Sequence, residues 1–140
     1  MAFNFKKVKI NFERLKINLP KQIANEGQKF YFKNFDSESW EGKRWAPRIA
    51  RRGIKKRDIT RKLLVNKAML RRAVANMKRE ATFSRIRFEV FVQSKTGFNY
   101  AQVHNEGIGK QRRRKFLGYN KTLDGILRNK INSELSKCFK

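Results

Sequence analysis

Tyr100-Ala-Gln-Val-His-Asn-Glu-Gly107, followed nine residues later by Phe116-Leu117-Gly118, is the stretch on which the reading of this 140-residue chain turns. Tyr100 to Glu106 fits a short helix, and Gly107 fits its C-terminal cap, where positive φ favours glycine. Tyr100 and His104 stand at i and i+4, on one face of that helix. Phe116 and Leu117 bring a short predicted strand under it.

Upstream, Ile86, Phe88, Val90 and Val92 face one way and Arg85, Arg87, Glu89, Phe91 and Gln93 the other. That period of two is the clearest strand signal in the chain, with residues 79–83 predicted to pair with it and Lys95-Thr96-Gly97 as a turn. Leu63, Leu64, Met69, Leu70, Ala73, Val74 and Met77 mark a middle helix, capped at Asn66. Downstream, Leu123, Leu127, Ile131, Leu135 and Cys138 form one face of a long final helix, widened by Ile126 and capped at Asn120.

Before these elements, Leu19-Pro20 reads as a helix start, because proline suits the first turn. A helix is predicted over 20–36. Residues 1–17 alternate, with Val8, Ile10 and Phe12 on one side, and predict a strand or extended arm. The organisation expected is an arm at 1–18 and one domain at 19–140 with a basic loop at about 41–62. The fold class expected is α+β. A small, mainly antiparallel sheet packs with an N-terminal helix, a middle helix and a long C-terminal helix.

A length of 140 residues allows one modest core. Hydrophobic residues make up 39%, and twelve Phe offset that low share, since each buried ring removes a large apolar area from water. Net charge is +25, from 36 Lys and Arg against 11 Asp and Glu. A domain so charged repels itself and calls for a negative neighbour, either nucleic acid or an acidic protein ring.

The charge concentrates in two runs. Lys43, Arg44, Arg48, Arg51, Arg52, Lys55, Lys56, Arg57, Arg61 and Lys62 form the first; Lys110, Arg112, Arg113, Arg114 and Lys115 form the second. On one face they would neutralise phosphates without reading sequence. Docking onto acidic subunits fits them equally. Trp40, Trp45 and Phe116 lie close enough in sequence to suggest stacking on single strands. No RNP-type run, KH-type loop or zinc-finger spacing accompanies them.

Nothing in the chain assembles a catalytic or cofactor site, and none is predicted. His104 is the sole histidine, and Cys138 the sole cysteine, so a His/Cys metal cluster and an internal disulfide are excluded. Gly107 and Gly109 lack the spacing and the lysine of phosphate-binding loops. His104 reads as a packing or hydrogen-bonding residue on the short helix. Cys138 reads as a reduced thiol, in keeping with assembly in a cytoplasm. There is no apolar run of membrane-spanning length and no signal-peptide pattern.

The order Trp40-Glu-Gly-Lys-Arg-Trp45, Leu64 to Val74 with Met69-Leu70-Arg-Arg-Ala73, Tyr100 to Gly107, and Arg114-Lys-Phe-Leu-Gly118 resembles the phage virion-morphogenesis (tail-completion) family. The resemblance covers roughly residues 19–136. It departs where the family often has Asp-Thr-Gly before the middle helix, since this chain has Val65-Asn66-Lys67-Ala68. The resemblance implies a structural protein of the virion neck or tail, assembled in the host cytoplasm, that forms a ring of six copies, or twelve against the portal side. Its partners would be other neck, portal-side or tail proteins and, through the basic runs, packaged DNA. Trp40, Trp45, Leu70, Tyr100, His104, Gly107, Phe116 and Leu117 would hold the body beside the ring interface. The arm at 1–17 would add a strand to a neighbour. Length, charge and lysine-arginine density also fit a nucleic-acid-binding protein of ribosomal type.

Overall fold

The computed structural model describes residues 4–48, 63–64, 69–93 and 97–140. Its largest element is a helix, α1 (Phe5–Asp36). The first turn is closed by Asn4, whose Oδ1 accepts from the Lys7 amide at 3.0 Å. The predicted extended arm is therefore helical from residue 5, and Pro20 lies inside the helix rather than at its start.

The reason is a longer pattern than the local alternation. Leu15, Leu19, Ile23, Gly27, Tyr31 and Phe35 follow one another at i+4 and are all buried. A step of four residues overshoots a helical turn by about 40°, so the stripe winds around α1 as it rises. Its two halves meet different partners. Leu15, Leu19 and Ile23 pack with Cys138 and against Leu127, Ile131 and Leu135 of a C-terminal helix. Tyr31 and Phe35 join the main core.

After α1 the chain turns through Glu38 in the left-handed region, φ 55. It then forms a hairpin of β1 (Ser39–Trp40) and β2 (Lys43–Arg44), antiparallel, with Trp40 opposite Lys43. The two linking residues, Glu41 and Gly42, have φ 51 and 77. Two consecutive positive φ values define the primed two-residue turn whose twist matches a hairpin. The start of the predicted basic loop is thus an ordered hairpin.

The middle helix is α2 (Met69–Ala75), with Leu70 and Val74 buried. Leu63 and Leu64 stand outside it in a turn, although both are buried in the core. A second antiparallel hairpin follows, β3 (Lys78–Ala81) and β4 (Ile86–Glu89), with Arg79 opposite Phe88. The predicted alternation holds: Phe88, Val90 and Val92 turn to the core, while Arg87, Glu89 and Phe91 are exposed. Gly27 makes room for this packing, because a Cβ there would overlap the Phe88 ring.

Two helices complete the chain, α3 (Tyr100–Glu106) and α4 (Lys121–Lys137). Asn99 caps α3 and Gly107 ends it at φ 74; Asn120 caps α4 through the amides of Thr122 and Leu123. Each cap satisfies amides that the first turn leaves without an intrahelical partner. The strand predicted at 114–118 does not form. The architecture is α+β, helices against two small antiparallel sheets, with a long C-terminal helix. Expectations for a cap at Asn66 and a turn at Lys95-Thr96 lie outside the described residues.

Candidate partner-contact surface

Phe35 and Phe116 are almost fully buried and meet edge to face, ring centroids 5.6 Å apart. Around them sit Trp45, edge-on to Phe35 at 5.6 Å, and Trp40, stacked parallel on Tyr31 at 6.3 Å. Such pairs add about 0.5–1.5 kcal/mol each beyond the area they bury. Leu70, Tyr100 and Leu117 complete the same cluster. The residues picked out as a body-forming motif therefore converge in space. The burial of Trp40, Trp45 and Phe116 removes them as stacking platforms for single strands.

The segment 114–118 is held by side chains instead of a strand ladder. Asn105 Oδ1 accepts from the amides of Phe116 and Leu117, each at 2.9 Å, and its Nδ2 donates to the Leu117 carbonyl at 3.0 Å. One side-chain amide thus substitutes for a neighbouring peptide unit. The Tyr31 hydroxyl donates to the Gly118 carbonyl at 3.0 Å. Neither role is signalled by sequence: Asn105 stands beside His104 with no periodic partner, and Tyr31 acts across 87 residues.

His104 packs its ring edge-on against Tyr100, centroids 4.3 Å apart. It is buried, and its Nδ1 has no hydrogen-bond partner among the described residues. Burial, and then the charge on Arg114, push its pKa from 6.5 to about 4. The imidazole is therefore neutral at pH 7. No group of three or more His, Cys, Asp or Glu among the described residues could hold a metal ion.

The two basic runs approach one another through side-chain bonds to backbone carbonyls. Trp45 Nε1 donates to the Lys115 carbonyl at 2.9 Å, Arg114 Nη2 to the Ala46 carbonyl at 3.4 Å, and Arg112 Nη1 to the Pro47 carbonyl at 3.5 Å. Segments 45–47 and 112–115 thus lie antiparallel, side by side. Lys43, Arg44, Lys110, Arg112 and Arg113 are exposed on this strip. Arg48 is half-buried, and Lys115 is half-buried with its Nζ 4.9 Å from the centroid of the Trp40 ring.

Arg114 departs from its expected place among the surface contacts, because it is buried against α3 with its amide bonded to the His104 carbonyl at 2.8 Å. Its pKa is lowered by burial first, then by the charges on Arg48 and Arg112. Arg51, Arg52, Lys55, Lys56, Arg57, Arg61 and Lys62 lie outside the described residues.

No protein-family description, no curated protein and no solved structure matches this chain. Among the described residues, no helix is long and apolar enough to cross a membrane.

Proposed function

We propose that the chain is a structural virion protein forming a ring in the neck or tail of a tailed bacteriophage. In this reading a rigid α+β body joins head to tail, with six copies to the ring, or twelve on the portal side. Its basic surface faces acidic neighbouring rings or DNA in the lumen, and His104 packs without performing chemistry. The observation that carries the reading is the convergence of Trp40, Trp45, Leu70, Tyr100, Phe116 and Leu117 in one core. These come from the separate segments whose order resembles the tail-completion family.

Exposed apolar side chains support subunit contact. Phe91, Phe98 and Ile108 are each about half exposed or more, and Tyr119 is more exposed still. A closed ring needs two different complementary patches on each subunit. The first seventeen residues are a poor source for one, since most of them belong to a helix that packs on α4 of the same chain.

The net charge of +25 favours a second reading, a ribosomal-type nucleic-acid-binding protein. Light scattering at moderate salt, with negative-stain images of the same fraction, separates the two. Rings of six or twelve copies support the virion reading. A monomer that binds RNA with a steep salt dependence replaces it with the second.

A further inference from the structure

Residues 43–48 and 108–115 together hold eight Lys and Arg and no acid. The fold lays these two stretches side by side through the bonds of Trp45, Arg114 and Arg112 described above. We infer that the resulting strip binds the phosphodiester backbone of a nucleic-acid double helix, with Arg112 and Arg113 as its central contacts. This deepens the reading of the basic runs as partner contacts and rests on it, but it does not depend on ring formation.

Three observations favour this partner. First, the cations are crowded. Arg114 lies buried among the strip's backbone, and its Nε has no hydrogen-bond partner among the described residues. Its charge is felt together with those of Arg48 and Arg112. Glu38 is the acid that acts on it, and that carboxylate already accepts from the Leu63 amide. An approaching anion relieves this repulsion.

Second, the chemistry suits phosphate. Guanidinium groups present paired donors to phosphate oxygens, and a duplex offers a negative charge about every 1.7 Å of its axis. A run of cations on two adjacent segments matches such a repeating charge better than it matches one carboxylate. Third, the aromatics interleaved with the strip are turned inward: Trp40, Trp45 and Phe116 are all buried. Recognition is left to backbone charge, without base stacking, and therefore favours paired strands and no particular sequence.

The experiment is fluorescence anisotropy of the full chain with labelled 30-base-pair DNA, the RNA duplex of the same sequence, a DNA single strand, and polyglutamate, over a salt series. The variants are Arg112→Ala/Arg113→Ala and, as a control of equal charge, Lys6→Ala/Lys9→Ala. The control pair lies at the far end of α1, about 45 Å from its C-terminus at a rise of 1.5 Å per residue. That is well beyond a Debye length at physiological salt.

Expected is tighter binding to a duplex than to the single strand or to polyglutamate. The arginine pair should weaken duplex binding about tenfold and flatten the log–log salt slope by about 2, against less than about twofold for the control. Comparison of the DNA and RNA duplexes identifies the source of the helix. Preference for polyglutamate or for the single strand overturns the inference, and so does equal loss in both variant pairs. Circular dichroism melts of each variant exclude unfolding as the cause of lost binding. Particle mass measured on the same samples tests the ring reading separately.

Discussion

Gly107 and Gly109 share a left-handed backbone, φ 74 and 68, but differ in their surroundings. A Cβ at Gly109 would meet nothing within 4 Å, whereas at Gly107 it would meet the Arg113 backbone at 2.9 Å. Gly109→Ala should cost only the left-handed conformation, about 1 kcal/mol. Gly107→Ala adds a clash with rigid backbone and should cost roughly 3 kcal/mol. Equal urea midpoints for the two variants would show that the contact with Arg113 is absent.

His104 gives a pH signature at the same scale. The unfolded chain takes up this proton near pH 6.5, whereas the folded protein resists until about 4. Between those values the unfolded state binds more protons, so stability falls as pH falls. The contribution is complete above pH 6.5 and lost on the way to 4. Subtracting the profile of His104→Gln, whose side chain does not titrate, should leave a decline of about 2–3 kcal/mol across that window. Superimposable profiles would refute it.

Among the elements, those marked by local chemistry were legible from sequence. The short helix α3 ends at its glycine and the final helix α4 begins at its asparagine, because cap residues and apolar spacing agree there. The hairpin at β3 and β4 was legible from its alternation. The first half of α1 was not. Val8, Ile10 and Phe12 alternate over so short a run that strand and helix look alike, and Pro20 suggests a start. The partner that decides the matter, α4, lies about a hundred residues away in sequence. Glu41-Gly42 carried a usable signal, since a two-residue turn ending in glycine is a hairpin pattern, but the surrounding charge obscures it. The segment 114–118 reads as a strand because of its apolar pair Phe116-Leu117, yet the amides of that pair go to the Asn105 side chain.

Pro20 makes the cost of α1 measurable. Proline cannot donate to the carbonyl four residues earlier, and an interior position costs a helix about 3 kcal/mol. Its ring is buried, which offsets part of that. Pro20→Ala should therefore stabilise the protein by about 1–2 kcal/mol. A lower melting temperature would mean that the ring's packing outweighs the missing hydrogen bond.

For the molecule as a whole, charge dominates. Seven ion pairs are seen among the described residues, five of them between exposed partners, where each contributes little. The excess of +25 is left to repel itself. Raising sodium chloride from about 20 to 200 mM shortens the screening length roughly threefold, and the melting temperature should rise by about 5 °C. A flat or falling response would mean that the cations are already neutralised within the fold.

Cys138 is the chain's sole thiol, 4% exposed, where the end of α4 meets Leu15, Leu19 and Ile23 of α1. That position turns it into a built-in clock for the helix pair. A thiol reagent in excess can react only when the two helices part, so the alkylation rate reads the opening frequency of this end of the molecule. Compared with global unfolding, it tells whether the long helix lets go of its two partners together or one at a time.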